Sequence, residues 1–139
     1  MIKVTGDFSA VNAFRRKLFA LGKTSRSALR ELEGIAVQEL NKTFSKGQNP
    51  YGRRWRPRKT ARSNPILNET GALKGSASAQ SRGATSFGVK YTDFKARYHH
   101  NGTRNIAARR LLPASGRLPS RWKKRFQVVF KRRFREAMR

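Results

Sequence analysis

The sequence predicts an α+β fold with an N-terminal helical hairpin, a small antiparallel β-sheet and a long basic amphipathic C-terminal helix. Apolar residues recur at helical spacing before residue 45 and after residue 119, and they alternate with polar residues between 74 and 92. Spacings of three and four are typical of a helix face, and alternation is typical of a strand. The 139 residues include nine Phe and two Trp, which favours a single domain, 1–139, with a packed core.

The helical hairpin is predicted over residues 1–45. Its first helix runs from Ser9 to Leu21 and ends at Gly22, and its second runs from Ser25 to Phe44. The apolar positions of the first helix share one face: Val11, Phe14, Leu18 and Leu21. Those of the second helix do the same: Leu29, Leu32, Ile35, Ala36, Leu40 and Phe44. We interpret both faces as core.

A basic loop is predicted over residues 46–65, because periodicity disappears there and two Gly and three Pro interrupt the chain. Six cations within ten residues favour contact with a polyanion over a solvated surface: Arg53, Arg54, Arg56, Arg58, Lys59 and Arg62. We interpret Tyr51 and Trp55 as anchors of this loop. They attach it either to the chain's own domain or to a neighbouring subunit, since large aromatic side chains serve both purposes.

Residues 66–118 form the predicted β-rich part. A turn or short helical segment is expected around Gly71, because glycine tolerates unusual backbone conformations. Segments 74–80 and 86–92 alternate in polarity and are predicted to pair as an antiparallel hairpin. A short helical or extended stretch then leads to Asn101-Gly102, and a third strand is expected at about 109–112.

The C-terminal helix is predicted over residues 119–139. Its large apolar residues recur every four positions and form a core-facing stripe: Trp122, Phe126, Phe130 and Phe134. Residues 121–139 carry nine basic residues and one acidic residue. The basic face is either a solvated surface or a docking face for a polyanion, and this charge density favours docking. The residues expected to face the partner are Lys123, Lys124, Arg125, Lys131, Arg132 and Arg133.

The charge of the chain is large and uneven. The formal net charge is +26, of which residues 1–45 contribute +4 and residues 46–139 contribute +22. Such a field attracts nucleic acid, acidic protein or anionic lipid, and it destabilises the isolated chain by self-repulsion. We therefore expect the protein to work while a partner neutralises its second half.

The residues present argue against an enzyme. There is no Cys, and Glu69 and Asp93 are the only acids between residues 40 and 135. His99 and His100 are adjacent, so they would point to opposite sides of a strand or diverge by ~100° on a helix. Neither geometry favours a shared metal ion or paired acid–base work on one phosphate. We expect no catalytic residues, no metal and no cofactor.

Membrane insertion and secretion are not expected. No apolar run approaches the ~18 residues that a transmembrane helix needs. The first residues, MIKVTGDFSA, lack the apolar core of a secretory signal. A membrane-active helix at 119–139 is disfavoured, because its apolar face is narrow and a globular domain precedes it.

Four segments together resemble the phage virion morphogenesis family, also described as tail completion or neck proteins. They are GQNPYGRRWRP at 47–57, ILNETGALKGS at 66–76, ARYHHNG at 96–102 and ARRLLP at 108–113. Their order and spacing fit the family, as does the layout of two preceding helices and a final helix. The fourth segment departs from the family pattern: Ala107 stands where a Pro is usual, and Arg110-Leu111 replaces Pro-Phe.

The resemblance implies a structural protein of a tailed bacteriophage, located in the virion neck after assembly in the host cytoplasm. Such proteins form rings, six- or twelve-fold, stacked with portal, adaptor and tail-terminator proteins around the DNA channel. The basic second half would then face packaged DNA or acidic surfaces of adjacent rings. Under this interpretation Arg109 and Arg110 are expected to bind a carboxylate across a subunit interface, and His99 and His100 are polar interface or turn residues.

A nucleic-acid-binding protein with no virion role is the alternative class. Composition alone favours it, although no helix-turn-helix, RNA-recognition aromatic motif or zinc finger is recognisable. This alternative predicts steeply salt-dependent binding of DNA or RNA by the isolated chain.

Overall fold

The computed structural model has the predicted mixed α+β architecture. It describes residues 24–60, 63, 66–67, 70–82, 86–114 and 117–137, and the predicted first helix, 9–21, lies outside them. The elements are helix α1 (Thr24–Lys46), a one-turn helix α2 (Ala72–Gly75), strands β1 (Ala77–Arg82) and β2 (Ser86–Tyr91), helix α3 (Lys95–Asn101) and helix α4 (Ser120–Ala137).

Helix α1 extends the predicted 25–44 helix slightly at both ends. Its core-facing stripe repeats every four residues, and each of these side chains is almost fully buried: Ala28, Leu32, Ala36, Leu40 and Phe44. Leu29 and Ile35 lie beside the stripe and are half-buried. Gly47 then takes φ of +61°, a conformation typical of the residue that ends a helix.

The two strands form an antiparallel hairpin in which Ala77 pairs with Tyr91 and Arg82 with Ser86. The first strand begins three residues later than predicted, because α2 occupies residues 72–75. Phe87, Val89 and Tyr91 of β2 are buried. Their alternate spacing places them on one face of the strand, which packs against α1 and the other core residues.

The predicted third strand at 109–112 is wrong: residues 107–113 are not a strand, and the described sheet has two strands. Leu111 and Leu112 are consecutive and both fully buried, whereas a half-buried strand alternates. The backbone N–H groups of this segment bond elsewhere, because Arg109 donates to the carbonyl of His99 at 2.7 Å and Leu111 to the Nδ1 of His100 at 3.1 Å.

Helix α4 packs against α1 and covers one side of the hydrophobic core. Its predicted stripe is confirmed at Trp122, Phe126 and Phe130, which are buried, while Phe134 is half-buried near the end of the helix. Trp122 and Phe126 make an edge-to-face contact, and so do Phe126 and Phe87. The two long helices and the hairpin thus share one hydrophobic core. None of the described helices is long and apolar enough to span a lipid bilayer.

Candidate functional site

The basic loop closes on itself directly after α1. The backbone of Trp55 donates to the carbonyl of Gly47 at 2.9 Å, and that of Asn49 donates to the carbonyl of Arg53 at 2.8 Å. The side-chain oxygen of Asn49 accepts from the N–H groups of Tyr51 and Arg53. This closed turn fixes the backbone while the side chains of Arg53 and Arg54 stay exposed.

Trp55 attaches the loop to the chain's own core. Its ring meets that of Phe44 edge to face, with centroids 5.4 Å apart, and its side chain is buried. The indole Nε1 donates a hydrogen bond to the carbonyl of Arg110 at 3.0 Å. Of the two roles predicted for this residue, the structure shows anchoring within the domain.

Tyr51 holds the other side of the loop to the segment that enters α4. Its hydroxyl donates to the carbonyl of Arg117 at 2.5 Å and accepts the N–H of Ala114 at 2.7 Å. The guanidinium of Arg117 lies 5.1 Å from the ring centroid, a cation–π distance. Tyr51 is therefore also an anchor within the chain.

Arg109 binds two backbone carbonyls of the basic loop. Its Nε donates to the carbonyl of Arg56 at 2.9 Å and its Nη2 to the carbonyl of Pro57 at 3.2 Å. Burial, together with repulsion from Arg58, lowers the pKa of Arg109. Within the described part of the chain, Arg109 supports the basic loop, and its binding of a carboxylate across a subunit interface stays a prediction. Arg110 contributes its carbonyl to Trp55, and its own side chain is exposed.

The two histidines of α3 differ in their hydrogen bonding. His100 accepts the N–H groups of Leu111 at 3.1 Å and Leu112 at 3.4 Å on its Nδ1. The neutral imidazole is required for this, and burial followed by repulsion from Arg110 lowers the pKa of His100. The Nδ1 of His99 is buried without a hydrogen-bond partner among the described residues. Burial, followed by repulsion from Arg109, lowers the pKa of His99.

Three of the six α4 residues predicted to face a partner bind carboxylates of α1 within the chain. Arg125 pairs with the buried Glu39, which also receives Lys42 at 3.0 Å. Arg132 and Arg133 pair with Glu31. These contacts join the two long helices along their length.

Glu39 is the most buried member of this network, with 3% of its side chain exposed. Burial raises its pKa, but hydrogen bonds from Arg125 and Lys42 and the charge of Arg121 outweigh burial, so the pKa of Glu39 is lowered. A buried carboxylate is stable only when it is paired in this way.

The other predicted partner-facing cations lie on two exposed surfaces. One is the outer face of α4, with Lys123, Lys124 and Lys131, and the other is the basic loop, with Arg53, Arg54, Arg56 and Lys59. Arg58 is half-buried. Arg62 lies outside the described residues. The outer-face lysines of α4 form no ion pair within the described ranges.

A groove of about 800 Å³ lies beside the basic loop. Its walls come from residues 56–60, from residues 66–67 and 70–73, from α3 with the preceding Asp93, and from residues 105–109. We call it the cationic groove, for the five positively charged residues that line it: Arg56, Arg58, Lys59, Lys95 and Arg109. Sequence reasoning points to the loop cations but not to Lys95 or to the groove itself, because the groove depends on how distant segments fold together.

The structure also brings together the four segments on which the family resemblance rests. Trp55 and Arg109 connect the first segment to the fourth, and His100 connects the third to the fourth. The second segment lines the cationic groove through Ile66 and Leu73. The segments are therefore neighbours in space as well as ordered in sequence.

Comparison with known proteins gives no relative: no family model, no curated protein and no solved structure matches this chain. No group of three or more His, Cys, Asp or Glu side chains within the described ranges is placed to hold a metal ion.

Proposed function

We propose that this chain is a structural protein of a tailed bacteriophage particle. It forms part of the neck, as a homo-oligomeric ring around the DNA channel that contacts portal, adaptor or tail-terminator proteins. Six- and twelve-fold rings are both compatible with the proposal.

One observation carries the proposal: the four family-like segments pack into one continuous unit. Trp55 and Arg109 tie the first segment to the fourth at 3.0 and 2.9 Å. His100 ties the third to the fourth at 3.1 Å. All four segments also contribute residues to the cationic groove, so they could act on a neighbouring subunit as one surface.

The distribution of charge supports a role inside an assembly. Glu31 and Glu39 pair with arginines of α4, and the chain keeps a net charge of +26 after all seven of its acidic residues are counted. The cations of the basic loop and of the outer α4 face are exposed. Acidic surfaces of neighbouring ring proteins or packaged DNA would supply the missing counter-charge.

Electron microscopy of a phage lysate tests the proposal. The reading frame is interrupted in a phage that carries it, and the intact chain supplied in trans is the control. We expect filled heads and finished tails that are not joined, or heads that leak DNA, with recovery in the control. Intact infectious particles without the chain would contradict the proposal.

A nucleic-acid-binding protein without a virion role is the second candidate. The observation that favours it is the outer face of α4, where Lys123, Lys124, Lys131 and Arg135 are exposed and lie within four turns of helix. Its test is a salt titration of binding to double-stranded DNA. Submicromolar binding at physiological salt, with a steep slope that falls when Lys124 and Lys131 become Gln, would support this candidate over the neck.

A further inference from the structure

The cationic groove combines a charged rim with an apolar floor. We call its four large aliphatic lining residues the floor: Ile66, Leu67, Leu73 and Ile106. Asp93 is the single carboxylate among the described lining residues, against five Arg and Lys. The volume of about 800 Å³ falls within the ~300–1,000 Å³ that is usual for ligand pockets. The groove therefore suits a ligand that is both acidic and apolar.

Two walls of the groove, at residues 56–57 and 103–106, are held in place by hydrogen bonds of the chain itself. Arg109 fixes the carbonyls of Arg56 and Pro57. Thr103 fixes the turn that presents Ile106, because its N–H donates to the Ile106 carbonyl at 2.8 Å and its hydroxyl accepts the Ile106 N–H at 3.1 Å. A groove that is already formed does not have to be ordered on binding, which favours affinity.

The backbone conformation of Leu67 is a second observation that favours a binding site here. Its φ is +62°, and residues other than glycine rarely adopt this left-handed conformation. This conformation is energetically unfavourable, and it belongs to a residue that lines the groove. Strained residues of this kind concentrate at binding sites.

We propose that the cationic groove binds an acidic peptide segment of a partner protein, with carboxylates on the rim and apolar side chains on the floor. Arginine and lysine bind carboxylates by charge-assisted hydrogen bonds. Nucleic acid fits less well, because the described lining residues include no Phe, Tyr or Trp, and the imidazole of His99 is the one ring among them on which a base could stack. The inference goes beyond the virion role, since peptide binding by the isolated chain requires no ring.

Fluorescence anisotropy with two labelled peptides tests the proposal on the full chain at physiological salt. One peptide alternates Glu with Leu, and the other alternates Glu with Ser at the same length and charge. We expect the Leu peptide to bind about tenfold more tightly, because only the apolar floor distinguishes the two. Equal affinity for the two peptides would overturn the proposal, because it would show that binding depends on net charge alone.

Two double variants locate the site. Arg56→Gln with Lys59→Gln removes two exposed rim charges, and Lys123→Gln with Lys124→Gln removes the same charge from the outer face of α4. We expect the first double variant to bind the Leu peptide about fivefold more weakly than the parent chain, and the second less than twofold more weakly. Equal losses would overturn the proposal. Circular dichroism verifies that both variants fold.

A floor variant and an oligonucleotide complete the test. Ile106→Ser should remove most of the preference for the Leu peptide while leaving binding of the Ser peptide unchanged; a preserved preference would place the peptide elsewhere and overturn the proposal. A single-stranded oligonucleotide is titrated in parallel. One outcome is that the oligonucleotide loses affinity only for the rim variant while the chain binds the Leu and Ser peptides equally. In that case the groove binds nucleic acid and the peptide proposal fails.

Discussion

The indole Nε1 of Trp55 donates a hydrogen bond to the carbonyl oxygen of Arg110, at 3.0 Å, across 55 positions of sequence. This contact joins the basic loop to the segment before α4. Arg109, the neighbour of Arg110, holds the same loop through the carbonyls of Arg56 and Pro57. Two adjacent residues thus fix both the buried and the exposed side of the loop.

Trp55→Ala should destabilise the fold by about 3–5 kcal/mol, because it removes a large buried ring and leaves a cavity. Trp55→Phe keeps most of the apolar volume and loses the bond to Arg110, so we expect about 1–3 kcal/mol. Urea unfolding followed by circular dichroism measures both. An Ala variant within ~0.5 kcal/mol of the parent would contradict the anchoring role.

The unfolding free energy should fall as the pH is lowered from 7.5 to 5.5. Burial lowers the pKa of both His99 and His100 in the folded chain, so the unfolded chain binds more protons over this range and stability decreases with added acid. At pH values below the pKa of the two histidines in the folded chain, their protonation no longer changes the unfolding free energy. Urea unfolding at several pH values measures it.

Replacing the histidines provides the control for that prediction. His100→Asn should reduce the slope and His99→Asn with His100→Asn should remove most of it, since both half-buried imidazoles are then absent. A parent protein whose stability is flat between pH 7.5 and 5.5 would show that His100 is not an obligatory acceptor for Leu111.

Glu39→Gln should cost about 2–4 kcal/mol of unfolding free energy, because Arg125 and Lys42 lose the buried carboxylate that they share. Glu136→Gln is the matched control: its carboxylate is half exposed and pairs with Arg133 three residues away, so we expect less than ~0.5 kcal/mol. Thermal and urea unfolding measure the difference. Equal effects of the two substitutions would exclude a special role for Glu39.

Gly102→Ala should be far more damaging than Gly52→Ala. Both glycines have positive φ, +76° and +89°, so each substitution costs ~1 kcal/mol from backbone conformation. At Gly102 the added Cβ would also lie 2.9 Å from the backbone nitrogen of Ala108, whereas Gly52 has open space. We expect ~2–4 kcal/mol at Gly102. Similar losses at both positions would contradict the close approach of α3 to residues 106–108.

Helices α1 and α4 and the β-hairpin were predictable because their sequence signals are local. Leu32, Leu40 and Phe44 recur with the helical period in α1, and the period of two identifies β2. The segment around Leu111 was not predictable, since its N–H groups bond to a side chain of α3 and no local pattern encodes such a partner. A short run of leucine, β-branched or other apolar residues has the same pattern in a strand as in a buried extended segment outside a sheet.

The candidate site was predicted in part. Cation density identified the exposed cations of the basic loop, and residue type identified Trp55 as an anchor. Charge density also assigned Arg125 to a partner, although it pairs with Glu39. A signal for that pair exists in the sequence: Glu31 and Glu39 are spaced for one helix face, as are Arg125 and Arg132. The cationic groove has no such signal, because four separate segments build it.

The number of copies of this chain in purified phage particles tests the central claim most directly. Quantitative mass spectrometry of gradient-purified virions, calibrated against the portal protein, measures it. The neck proposal predicts a fixed stoichiometry that corresponds to one ring of six or twelve copies. A chain that is absent from purified virions, or present in amounts that vary with salt washing, would contradict it.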